Sequence, residues 1–279
     1  MHGFAAKACR ARVVGKVVLL LCLLLLALLP AVAACGGDST GTSNGATGST
    51  SGGIQGKQVT FKTEDGVTLS GHLFGTGASG VVLSHMYPAD QKSWYATAKK
   101  LAASGYLVLT YDFRGYGASG GNKQIDYIDR DVYAAVKKIA AAGATHVVLI
   151  GASMGGTASL MTAERLFKEQ LSSAQASATR ITLAGVATLS APVTFQGLSA
   201  QKVIPNIYCP LLFIAAKQDV GAEGALDLER LSGNTGDLQI VPGKDHGTDL
   251  LTGAQADKVY NLLLKFLDKN ARDTGPASE

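Results

Sequence analysis

In the stretch Val147-Val148-Leu149-Ile150-Gly151-Ala152-Ser153-Met154-Gly155-Gly156, four apolar residues, three of them β-branched, give way to Gly-Ala-Ser-Met-Gly. The apolar run predicts a buried strand, and the spacing of Met154, Ala158, Leu160, Met161 and Leu166 predicts a helix directly after it. Between the two lies G-x-S-x-G. Small residues at 151 and 155 let the chain turn sharply enough to lift the Ser153 hydroxyl above a sheet, while the helix aims free N–H groups and its positive dipole end at the same point. A strained strand-to-helix turn is a poor place for a merely structural serine. Ser153 is therefore the residue against which the others are sorted.

The N-terminal 34 residues carry Lys7, Arg10, Arg12 and Lys16, then an almost unbroken apolar run over 17–29, then Pro30 and small residues. A basic segment, an apolar segment and a small-residue cleavage site make a secretory signal peptide over 1–34. Val32-Ala33-Ala34-Cys35 resembles the bacterial lipobox, which implies that Cys35 becomes the lipidated first residue of the mature protein. The apolar run is nearly long enough to act instead as an uncut anchor, but Cys35 falls where it ends and a polar stretch begins. Residues 35–56 are Gly, Ser and Thr with almost nothing to bury, so they are expected to form a flexible tether with a reach on the order of 25 Å. The folded domain is expected over 57–279, in the cell envelope outside the cytoplasm and held to a membrane at Cys35. Its roughly 220 residues suffice for one core.

The formal net charge of +4 belongs to the leader: without its four cations the chain has 21 Lys+Arg against 21 Asp+Glu. A neutral domain with no basic stripe speaks against nucleic acid as a partner. Cys9 and Cys22 leave with the signal and Cys35 is expected to be acylated, so Cys209 stands alone and no intrachain disulfide is available. No H-E-x-x-H occurs, no second cysteine accompanies Cys209, and Gly115-Tyr116-Gly117 lacks the later glycine of a dinucleotide loop. The expectation is chemistry without metal or cofactor. Oligomeric state is not legible.

From Lys57 the chain alternates. Period-two segments at 58–62 and 67–74 flank Glu64-Asp65-Gly66, a hairpin signal. Further strands are expected at 81–85, 106–111, 147–150, 181–189, 211–215 and 238–241. Helices are expected at 92–104, 126–142, from 154, and at 222–231 and 254–267. A hairpin followed by alternating strands and helices predicts an α/β domain with a mostly parallel eight-stranded sheet and helices on both faces.

With these elements in order, the chain resembles the α/β-hydrolase family. G-x-S-x-G falls after the fifth strand, where that family keeps its nucleophile, and Asp112-Phe113-Arg114-Gly115-Tyr116-Gly117-Ala118-Ser119 resembles the family's D-x-R-G-x-G-x-S turn, read here as structural. A serine needs a base and an orienting acid. Of the histidines, His72, His85 and His146 fall in or at the ends of strands and His2 lies in the leader; His246 alone sits in the loop between the last strand and last helix, where the family keeps its base. The resemblance places the acid at Asp219, beyond the seventh strand, with Glu223 and Asp245 as competitors. It implies two oxyanion donors, the backbone N–H of Met154 and one from the loop His85-Met86-Tyr87-Pro88. That donor aligns with Tyr87, although methionine stands where the family has glycine and leaves Met86 and Tyr87 interchangeable.

The short connection between Leu189 and Leu211 leaves no room for a helical lid. The resemblance then implies a lidless, lipid-anchored serine hydrolase outside the cytoplasm, cleaving a small-molecule carboxylic ester or related acyl bond through an acyl-enzyme. The same residues would serve a small-peptide or amide hydrolase, and a binding lipoprotein that kept the fold without turnover would need no intact triad. For the anchor, Cys35→Ser should leave the protein unprocessed or released from membranes. Membrane attachment unchanged, with a cleaved but unacylated N-terminus, would contradict it.

Overall fold

The computed structural model describes residues 55–172, 181–233 and 235–272. The expected signal peptide, Cys35 and the expected tether up to residue 54 lie outside the described residues, as does most of the connection after residue 172. The strands are β1 (Lys57–Lys62), β2 (Thr68–Phe74), β3 (Ser79–Ser84), β4 (Leu107–Tyr111), β5 (His146–Ala152), β6 (Thr182–Leu189), the two-residue β7 (Thr194–Phe195) and β8 (Leu198–Ser199), then β9 (Leu211–Ala216) and β10 (Asp237–Val241). The helices are α1 (Tyr95–Ala103), α2 (Ile128–Ala141), α3 (Met154–Ser172), α4 (Gly221–Leu231) and α5 (Ala256–Asn270). Eight strands form one sheet in the order β1-β2-β4-β3-β5-β6-β9-β10, antiparallel at β1·β2 and β2·β4 and parallel elsewhere.

The period of two along the central strands divides the core. Val147 and Leu149 of β5, with Val82, Leu109 and Phe213, pack on one face against Val132 and Val136 of α2, Leu160 of α3 and Leu228 of α4. Val148 and Ile150, with Val81, Leu83 and Ile214, pack on the other face against Ala98 and Leu101 of α1 and Leu263 and Leu267 of α5. Strands covered on both faces need continuous apolar sequence rather than polar alternation, which is why β5 reads as an unbroken hydrophobic run.

The connection from β6 to β9 holds no helical cap. It holds the β7–β8 hairpin, which the sequence reading did not anticipate, and a single 3-10 turn at Ile204–Asn206. Gln196 (φ 42°) and Gly197 (φ 93°) close the hairpin in left-handed conformations, the mirror-image turn whose twist suits two antiparallel strands.

The turn after β4 is tied down by charge. Arg114, 1 % exposed, donates from Nε and Nη2 to Asp131 Oδ1 of α2 at 2.9 and 2.7 Å, and from Nη1 and Nη2 to Asp65 of the β1–β2 turn at 2.7 and 3.1 Å. Its backbone N–H donates to Asp131 Oδ2 at 2.9 Å. Asp112 accepts from Gln91 N–H and Nε2 and from Ala118 N–H, at 2.8 to 2.9 Å. Removing one partner of a buried ion pair strands the other, so Arg114→Met should cost about 3 to 5 kcal/mol of stability.

The Arg114 guanidinium holds the Asp65 carboxyl well below the usual carboxylate range. A depressed carboxyl stabilises the fold above its unfolded pKa of about 3.9 and loses that contribution as pH falls through the folded value. Asp65→Asn should therefore lower the melting temperature at pH 7, with the difference from wild type shrinking below about pH 4. A difference that stays constant with pH would show that the charge is not what Asp65 contributes.

Candidate active site

Ser153 occupies the single residue between β5 and α3 and adopts φ 47°, the left-handed region that side chains with a Cβ seldom enter. The flanking glycines show why the turn can be this tight. A Cβ at Gly151 would run into the Gly155 backbone, and one at Gly155 would stand 2.6 Å from the carbonyls of Ser84 and His85 at the end of β3. The Ser153 N–H is anchored to the Leu189 carbonyl of β6 at 2.8 Å. Met154 opens α3, so its N–H belongs to the first turn of a helix, where donors lack intrahelical acceptors.

His246 and Asp219 come from loops at the C-terminal ends of β10 and β9, on the same edge of the sheet. His246 Nδ1 lies 2.8 Å from Asp219 Oδ1. A carboxylate accepts, so Nδ1 carries the proton, and in the neutral imidazole Nε2 keeps its lone pair. The Asp219 side chain is 2 % exposed and the imidazole 31 %, an acid sealed behind a base that reaches the surface. The competitors are elsewhere: Glu223 is on the exposed side of α4, and the Asp245 carboxylate lies against Gly253. Asp219 is thus the acidic partner of His246.

The histidine loop meets the serine turn through its next residue. A Cβ on Gly247 would stand 3.4 Å from Ala152 Cβ, beside Ser153, and 2.6 Å from Met86 Sδ. Ser153 Oγ makes no hydrogen bond among the described residues. A link from nucleophile to base often tightens only when substrate binds.

His85 is fully buried between Phe113 and Tyr116, whose rings lie 4.7 and 5.1 Å from its own. Its Nε2 faces the Phe113 N–H at 3.1 Å and its Nδ1 faces the Met86 carbonyl at 2.9 Å. A backbone N–H can only donate, so Nε2 accepts and Nδ1 holds the proton that goes to Met86 O. Burial pushes the His85 pKa down, which keeps this neutral tautomer. Because a trans peptide points its C=O and N–H in opposite directions, fixing Met86 O turns the Tyr87 N–H away from His85. Among the described residues the N–H groups of Tyr87 and Met154 have no acceptor in the protein.

A family profile described as alpha/beta hydrolase fold matches residues 81–197. The architecture is that of the α/β-hydrolase fold. A curated relative from Synechocystis sp., named "Putative non-heme chloroperoxidase", is 33% identical over 101 residues, which is 35% of this chain and 36% of the relative, so the match spans about a third of that protein. An esterase of Pyrococcus furiosus superposes with a TM-score of 0.64 at 18% identity, covering 78% of this chain and 92% of that one. An esterase of Exiguobacterium antarcticum does so with a TM-score of 0.61 at 15% identity, covering 76% and 100%. At such identities the structural likeness concerns the fold.

Two features went unseen in the sequence: Phe195, whose ring lies 6.0 Å from that of Tyr87, and the buried Ser190 at the end of β6. Gln196-Gly197 between two short apolar-polar pairs was the available signal for the first; nothing local marks the second. For the pair that was legible, His246→Ala should lower turnover on the order of a thousandfold, Asp219→Asn should be severe, and Glu223→Gln should stay within about twofold of wild type. Measuring kcat for each on an activated ester decides it. A ranking with Glu223→Gln worse than Asp219→Asn would reassign the acid.

Proposed function

We propose that this protein is an extracytoplasmic, lipid-anchored serine hydrolase that cleaves short-chain carboxylic esters through an acyl-enzyme. The observation that carries the reading is the 2.8 Å pair from His246 Nδ1 to Asp219 Oδ1, set beside a serine held at φ 47° on the first turn of a helix. In this mechanism Ser153 Oγ attacks the ester carbonyl carbon while His246 Nε2 takes its proton, and Asp219 stabilises the imidazolium that results. The carbonyl π electrons move to oxygen, and the oxyanion is met by the N–H groups of Met154 and Tyr87. The C–O bond to the alcohol then breaks as His246 returns the proton to the leaving oxygen. Water repeats the sequence on the acyl-enzyme, releasing the acid and restoring Ser153.

The esterase names of the structural relatives accord with this chemistry, and the lipobox-like Val32-Ala33-Ala34-Cys35 supports the anchor. Two features support short acyl groups. The β6–β9 connection supplies no helical cap, and Phe195 of its hairpin packs against the half-exposed Tyr87 ring, next to the oxyanion donor. Without a cap, the site on this reading is an open cleft rather than a tunnel, with that aromatic pair as one wall. Each methylene left unburied forgoes about 0.8 kcal/mol, or roughly 5 kcal/mol over six.

The test is a p-nitrophenyl ester series with the domain from residue 57 onward. Acetate should be cleaved at least as well as decanoate, without a jump in rate as substrate passes from monomers to micelles. A steep gain toward decanoate, or interfacial activation, would contradict the short-chain reading; no turnover of any ester would contradict the function itself.

A further inference from the structure

β6 lies between β5, which leads to Ser153, and β9, which leads to Asp219, and the chain at its end touches the Ser153 turn and the loops of Asp219 and His246. The Leu189 carbonyl accepts the Ser153 N–H at 2.8 Å. The next residue, Ser190, donates its own N–H to Ile214 of β9 at 2.8 Å. Its Oγ accepts the N–H of Gly247, the residue after His246, at 3.1 Å. A Cβ on Gly221 would stand 2.7 Å from Ser190 Cβ and 2.9 Å from Asp219 Oδ2, so the serine also lies against the acid's loop.

Ser190 is fully buried and sits at φ 56°, in the region that favours glycine. A side chain kept in such a conformation needs a reason, and strained residues gather where geometry serves a site. Glycine would relieve the backbone but would leave the buried Gly247 N–H without its acceptor. The bond to Asp219 fixes His246 at Nδ1 alone, so the imidazole can still swing about that atom unless the backbone carrying it is fixed too. Gly247 is held on one side by Met86 and Ala152, and on the other by the Ser190 hydroxyl.

We propose that Ser190 is a positioning residue: its hydroxyl fixes the Gly247 amide and so aims His246 Nε2 at Ser153. The proposal rests on the reading of Ser153, His246 and Asp219 as a catalytic triad. Ser190→Ala removes the hydroxyl and keeps the backbone strain, whereas Ser190→Gly removes both. A role through the hydroxyl predicts that the two variants lose kcat alike, by about ten- to a hundredfold, with KM for p-nitrophenyl acetate within about twofold of wild type. It also predicts that the low-field proton resonance of His246 Nδ1–H, assigned by its loss in His246→Gln, shifts or broadens in both, while Ser190→Gly melts no lower than Ser190→Ala.

A Ser190→Gly variant with wild-type kcat and resonance would overturn the proposal, since only backbone strain would then distinguish the position. Unchanged kcat in both variants would overturn it as well. The resonance needs no substrate: should wild type turn over no ester, the proposed function falls, and Ser190 as the residue that positions His246 still stands or falls on whether that signal changes alike in the two variants.

Discussion

The close approach of α3 to the end of β3 is the constraint on which this molecule depends. Gly155 lets the helix start within contact of the Ser84 and His85 carbonyls, and Gly151 lets the strand end beneath it. With side chains at either position the turn would have to open. Ser153 would lose φ 47°, and Met154 N–H would move away from the loop that presents Tyr87. The sheet supplies the rest of the registration, because the loops after β3, β5, β9 and β10 all leave from its C-terminal edge, where open α/β sheets place their sites.

Around this turn the structure divides its polar groups by task. Arg114, Asp131, Asp65 and Asp112 are fully satisfied and bind the β4 turn to α2 and the first hairpin. None of them bonds to Ser153, His246 or Asp219 among the described residues, and their bonds hold shape. His85 ties the Met86 carbonyl to Phe113 in one fixed tautomer, which presents a peptide rather than reacting itself. His246 differs in being partly exposed, with one nitrogen bound and the other open. Asp219 Oδ2 is buried and has no partner among the described residues, so all the hydrogen bonding of this carboxylate is directed to the base.

Most of the fold was legible because buried strands and amphipathic helices write their periods into the sequence; Val147 to Ile150 and the apolar residues from Met154 to Leu166 are examples. The positions of Ser153, His246 and Asp219 were legible because each follows a strand whose end could be found. The sequence left Asp219, Glu223 and Asp245 in competition, since side-chain direction in a loop is set by contacts such as that between Asp245 and Gly253 rather than by spacing. The β7–β8 hairpin was missed because two-residue strands carry too little pattern to register. Ser190 was invisible for a different reason: a buried serine at a strand end looks like any small residue until the partner of its hydroxyl, 57 positions away, is known.

Covalent capture of the domain from residue 57 onward with a fluorophosphonate, followed by peptide mass mapping of the adduct, tests most directly whether Ser153 is a nucleophile activated by its surroundings. A single adduct on Ser153, absent from Ser153→Ala and greatly slowed in His246→Ala, is the result predicted here. No adduct, or one on another serine at an equal rate, would contradict it.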